Sequence, residues 1–131
     1  MNAFVKKYLK LTAPCEIVKV TPLPNSTQQH CIKNVDEFCK KIKSAKPLLA
    51  WSILSHNGII LANLHAVLEI KGLLKDITPS MFQEKTRMIV REHRMTVAKA
   101  RKLTQVHKNS FCDIMNIPFA QPSGINFFEH I

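Results

Sequence analysis

Three side chains in this sequence are spaced so that a fold could join them into a reactive set: Cys31, His65 and Asp76. A thiolate attacks a carbonyl carbon, an imidazole removes and returns protons, and a carboxylate fixes the tautomer and orientation of the imidazole. Cys31 opens a stretch in which Cys31, Val35, Phe38, Cys39 and Ile42 recur at helical spacing, after the candidate caps Asn25, Ser26 and Thr27. It is thus expected in the first turn of an amphipathic helix, where N–H groups and the helix dipole favour an anion such as a thiolate. The backbone N–H of Cys31 is a candidate oxyanion donor, with Gln28 or Gln29 as a side-chain donor beside it. His30 is adjacent, but neighbouring helical residues diverge by about 100°, so it is expected to face solvent.

His65 and Asp76 are brought together by a hairpin. Leu64 to Ile70 is rich in β-branched and aliphatic residues, Lys71-Gly72 supplies the turn, and Thr78-Pro79 ends the return strand. A two-residue loop sets Ile70 opposite Leu73, Val67 opposite Asp76 and His65 opposite Thr78. Side chains alternate with a period of two, so His65, Val67 and Asp76 share a face, and His65 is diagonal to Asp76. A three-residue loop would turn Asp76 to the other face.

The remaining elements must position these residues. Glu16 to Val20 reads as a short strand between Pro14 and Pro22. Pro47 to Ser55 reads as a buried strand carrying Trp51 in the core, and Asn57-Gly58 is a strong hairpin turn leading into Ile59 to Ala62. Thr86, Met88 and Val90 alternate with Arg87 and Arg91, which predicts one more strand beside the hairpin within 83–92. Thr96 to about Ser110 is a basic helix, and the tail from Asn116 is irregular, docked by Phe119, Phe127 and Phe128. The expected class is α+β: an N-terminal helix packed on an antiparallel sheet of four or five strands, then a basic C-terminal helix. One domain spans 1–131, with 28–90 as its catalytic-like core and 94–131 as basic helix and tail.

Cys31 to Val35, Ala50-Trp51, His65-Ala66-Val67 and Asp76-Ile77-Thr78-Pro79 resemble blocks of an uncharacterised family of small bacterial proteins. In that family a Cys-x-x-Asn-Val motif opens a helix, and a His-Ala-Val hairpin closes on Asp-Ile-Thr-Pro. The order of these blocks is similar to the papain-like and transglutaminase-like thiol fold. The resemblance covers about residues 28–90 and implies a Cys/His/Asp triad acting on an amide, as in a peptidase, a deamidase or amidase, or an acyltransferase. Ala50 stands where the family pattern has glycine, and Asn63 where it has an acidic residue.

Composition supplies the competing readings. Nineteen Lys and Arg against nine Asp and Glu give a net charge of +10, which favours an acidic protein or peptide substrate, or nucleic acid. Arg87, Arg91, Arg94, Lys99, Arg101 and Lys102 could form a phosphate-binding surface, making the chain a nucleic-acid-binding or protein-interaction module. No aromatic ladder accompanies them, so such binding is expected to be weak and indifferent to sequence. Cys31, His65 and Asp76 or His56 could instead ligate zinc, but no CxxC or HxH pair anchors a site, and neither metal nor other cofactor is expected. Cys39 and Cys112 read as small buried hydrophobes. The lysine-interrupted N-terminus lacks an apolar signal region and no later segment is long enough to span a bilayer, so a cytoplasmic location without membrane contact is expected.

Overall fold

In the computed structural model, which describes residues 2–24, 26, 30–56, 59–80, 84–106 and 131, the chain runs α1 (Asn2–Leu9), β1 (Cys15–Lys19), α2 (Cys31–Lys41), β2 (Ala45–His56), β3 (Ile59–Ile70), β4 (Leu73–Lys75), β5 (Thr86–Arg91) and α3 (Val97–Val106). The class is α+β with a five-stranded antiparallel sheet, in the order β1-β5-β2-β3-β4. β2 and β3 pair along their whole length, from Ala45↔Ile70 to His56↔Ile59. β5 lies on the far side of β2, where Trp51 pairs with Val90, and β1 pairs with β5 in turn.

That order leaves β1 and β4 as edges, and the chain just beyond them is joined. Val20 forms a parallel bridge with Asp76, and the Thr21 N–H donates to the Asp76 carbonyl at 2.8 Å. The sheet therefore curls until its two ends touch. Alternation then assigns an outer and an inner face. On the outer face Leu49, Trp51, Leu64, Ala66 and Leu68 share one core with Val5 and Leu9 of α1, Cys31 and Val35 of α2, and Val97 and Ala100 of α3. The inner face holds the small cluster Val18, Ala50, Val67 and Ile89.

Helix α1 is absent from the sequence reading, which took this segment only as too basic for a signal region. Val5 and Leu9, four apart and fully buried, give it one apolar stripe, and it ends in a Schellman turn: Leu11 N–H to Lys6 O at 2.8 Å and Lys10 N–H to Lys7 O at 3.2 Å. Lys10 takes the left-handed conformation (φ 56°) usually given to glycine there, so the usual stop signal is missing from the sequence. In α2, Phe38 and Cys39 pack partly on the core as the periodicity requires, but Ile42 lies past the helix end and is exposed. Thr96 accepts the Lys99 N–H at 3.1 Å and caps α3. Asn57-Gly58, residues 107–110 of the expected basic helix, Cys112 and the tail with Phe119, Phe127 and Phe128 lie outside the described residues. No helix among the described residues is long and apolar enough to cross a membrane.

Trp51 is fully buried, and its indole N–H donates to Glu92 Oε2 at 2.8 Å. The Glu92 carboxylate also takes the Arg94 guanidinium and backbone N–H, and Arg94 reaches on to the Leu9 carbonyl at 2.8 Å, which ties α1 to the sheet. Burial alone would raise the Glu92 carboxyl, yet these donors hold it below the usual carboxylate range. Trp51→Phe keeps an aromatic core residue but leaves a buried carboxylate short of a donor. It should cost about 1–3 kcal/mol in urea unfolding followed by circular dichroism. A loss below about 0.5 kcal/mol would mean that Glu92 is satisfied without the indole.

Candidate active site

The hairpin turn sets the site. Lys71 (φ 52°) and Gly72 (φ 79°) both adopt left-handed backbone, as a two-residue turn matched to strand twist requires. The resulting register is Ile70↔Leu73, Glu69↔Leu74 and Leu68↔Lys75, so the next pair in line is Val67 with Asp76, and Asp76 reaches the face of His65. His65 and Asp76 are both buried, and His65 Nε2 lies 3.0 Å from Asp76 Oδ2.

Asp76 is held from several sides. Its Oδ1 accepts the Thr78 N–H at 3.1 Å in a local turn, and its Oδ2 also accepts Arg87 Nη1 at 2.6 Å. Arg87 Nη1 closes on His65 Nε2 as well. A guanidinium and a protonated ring are both donors, so the carboxylate oxygen they share is what joins them. Burial would raise the Asp76 carboxyl, but the His65 charge and hydrogen bond, then Arg87 and the Thr78 N–H, hold it below the usual range. Burial would likewise lower the His65 ring, and is its largest single influence. The Asp76 charge and hydrogen bond, with those of Cys31, outweigh it and push the ring up to about 9.

Cys31 is a further influence on the same ring, after Asp76, and favours its protonated form. Helix α2 is docked for this by Asn34, three residues on and on the same face, whose Nδ2 donates to Thr78 Oγ1 at 3.1 Å. Thr78 thus joins the helix to the turn that holds Asp76. The first bond of α2 runs from the Asn34 N–H to the His30 carbonyl at 2.9 Å, and exposed His30 provides no side-chain cap. The N–H groups of the first turn, beginning with Cys31, therefore have no acceptor within the helix, as an oxyanion site requires. Cys31 and His65 both line a cleft of about 110 Å³. Its apolar wall is Ile53, Leu54 and Met88.

The sequence brought Cys31, His65 and Asp76 forward, and the fold draws them together. Gln28 and Gln29 lie outside the described residues. Among the basic residues expected on a phosphate surface, Arg87 belongs to the site. Arg91 bonds Glu16 at 2.8 Å and Glu69 at 2.7 Å, Arg94 bonds Glu92 at 2.7 Å, and Arg101 bonds Asp36 at 2.6 Å. Each of these arginines is already partnered by a carboxylate of the chain, while Lys99 and Lys102 are exposed on α3. Cys15 is exposed on β1; the half-buried Cys39 thiol is pushed up by burial and then by Asp36. His56 is the last residue of β2, and among the described residues no three His, Cys, Asp or Glu side chains gather as metal ligands would.

Sequence reasoning missed Asn34, Thr78 and the role of Arg87. Asn34 leaves one trace, a polar residue on the apolar stripe of its helix. Arg87 leaves none, because no tight turn fixes its register against Asp76 as the Lys71-Gly72 turn does for His65. No family model matches this chain, and neither a curated protein nor a solved structure is found to be similar to it.

Proposed function

We propose that the chain is a thiol-dependent amide hydrolase or acyltransferase, with Cys31 as nucleophile, His65 as acid and base, and Asp76 as the group that orients and charges the imidazole. The observation that carries this reading is His65 itself: a buried ring with Asp76 at 3.0 Å on one nitrogen, lining the same cleft as Cys31. The order of helix thiol, strand imidazole and carboxylate supports a papain-like or transglutaminase-like layout.

The steps balance with these residues alone. The thiolate attacks the amide carbon, and the C=O electron pair moves to oxygen, which faces the N–H groups at the start of α2. The C–N bond then breaks as the imidazolium gives its proton to the leaving nitrogen, leaving a thioester on Cys31 and a neutral His65. His65 next takes a proton from water or an incoming amine, whose oxygen or nitrogen attacks the thioester and releases the thiolate. Arg87 and Thr78 keep the Asp76 carboxylate fixed throughout.

Alkylation by iodoacetamide near neutral pH tests the reading, with labelled peptides identified by mass spectrometry. Cys31 is 2% exposed and Cys15 is exposed, so accessibility alone would make Cys15 the faster thiol. The proposal expects the reverse. His65→Ala should slow Cys31 labelling by about 10²-fold, the scale of a positioned proton-transfer group, and leave Cys15 unchanged. Faster labelling of Cys15, or a Cys31 rate indifferent to His65→Ala, would remove the nucleophile.

A further inference from the structure

The cleft and the chain as a whole differ in charge. The chain carries +10, yet the guanidinium that lines the cleft, Arg87, is paired with Asp76 at 2.6 Å. The cleft also contains Glu84, half-buried, whose carboxylate accepts the Ser80 hydroxyl. A hydroxyl is a dipole and leaves the charge of Glu84 standing. A second acceptor lies two residues before His65 on the same face of β3. This is Asn63, whose side-chain oxygen is buried with no hydrogen-bond partner among the described residues. A buried acceptor in this condition is costly until a donor reaches it. Taking Cys31 as the thiolate of the proposed function, Cys31 and Asp76 together match His65 and Arg87, so what the cleft offers an incoming group is the Glu84 charge and an unfilled acceptor.

Resting on the reading of Cys31 as nucleophile, we infer that the cleft accepts an amide substrate bearing an ammonium or guanidinium group beside the carbonyl that is attacked. Glu84 supplies the countercharge and Asn63 takes an N–H. An acidic substrate, which the charge of the whole chain would attract from a distance, is opposed by Glu84 once it enters. The charge of the chain and the preference of the cleft are therefore separate properties, and the expectation of an acidic substrate gives way to a basic one.

The test reads the potential at Cys31 without a known substrate. Two methanethiosulfonates, one carrying a trimethylammonioethyl group and one a sulfonatoethyl group, transfer their alkylthio group to a thiolate and expel methanesulfinate. Rates at Cys31 and at exposed Cys15 are measured by mass spectrometry on the full chain, with Cys15 correcting for intrinsic reagent reactivity. At low ionic strength the cationic-to-anionic rate ratio at Cys31 should exceed that at Cys15 by about three- to tenfold, and the excess should shrink as salt is added. Glu84→Gln should bring the two ratios together, and Glu84→Lys should invert the preference. A ratio at Cys31 equal to or below that at Cys15, or one unmoved by Glu84→Gln, overturns the inference. The wild-type ratio and its salt dependence decide the matter even if both Glu84 variants fail to fold. Failure of the nucleophile reading looks different: an absolute Cys31 rate no faster than that of Cys15 and indifferent to His65→Ala, with the charge ratio still measurable because an ordinary thiol also reacts.

Discussion

Asp76→Ala should destabilise the protein by about 3–5 kcal/mol under conditions where the wild type is native. The carboxylate is completely buried, and its removal strands the Arg87 guanidinium, the His65 ring and the Thr78 N–H at once. Breaking a buried pair by deleting one partner costs about 3–5 kcal/mol, because an uncompensated charge remains inside. That is a large share of the roughly 5–15 kcal/mol that holds a domain together. Urea denaturation gives the number. Asp76→Asn separates the contributions: its oxygen still accepts the Thr78 N–H, while its amide nitrogen, a donor, replaces the charged acceptor that Arg87 and His65 share. Adding Arg87→Gln to Asp76→Asn should recover part of the loss, with a coupling of about 1–3 kcal/mol between the two positions. A cost below about 1 kcal/mol for Asp76→Ala would show that the carboxylate is solvated and the cluster loose.

The second large effect is on the alkaline side. The His65 ring titrates at about 9 in the folded protein against 6.5 for an ordinary imidazole. Between those values the native state holds a proton that the unfolded chain has released, so stability must fall as pH rises. The contribution is complete below about pH 6.5 and is lost through pH 9, amounting to about 3 kcal/mol. Asp76 gives the opposite flank. Its carboxyl is held below the usual range, so its contribution is present above about pH 4 and is lost as pH falls through the lowered folded value. Urea midpoints at pH 6, 7.5 and 9 should decline for the wild type and stay nearly level for His65→Gln. The comparison cancels the other titrating groups of the chain. A wild-type profile that is flat or rises over this range would show that His65 is neutral in the native state.

What the sequence makes legible here is what neighbours along the chain determine. The pair Lys71-Gly72 between two aliphatic runs is enough for the turn, the turn is enough for the register, and the register carries Asp76 to the face of His65. The apolar spacing from Cys31 through Phe38 is enough for a helix with the thiol at its start. The partners of the arginines are not legible in this way. Arg91 and Glu16 are 75 residues apart, and Arg101 and Asp36 are 65 apart; their meeting depends on the order of strands and the docking of α3. Read along the chain these residues are a basic run, and read in the fold they are halves of ion pairs. Glu84 is the same case with the sign reversed: one carboxylate among many basic residues, placed by the fold in the cleft that Cys31 also lines.

The joint between the two ends of the sheet gives Asp76 a second occupation. Its backbone closes the sheet against Val20 and Thr21, and its buried carboxylate satisfies Arg87 and the Thr78 N–H besides facing His65, so under the proposed function the residue answers to two kinds of selection at once. A descendant of this chain that gave up chemistry would still need Asp76 to fold. Cys31 answers to one alone: a thiol exchanged for a residue of similar size in an apolar setting disturbs little packing. Mutational drift would therefore erase the nucleophile first and leave the carboxylate standing. Under the proposed function, the residue at position 31 is what distinguishes an active descendant from an inactive one, and an intact Asp76 certifies only the fold.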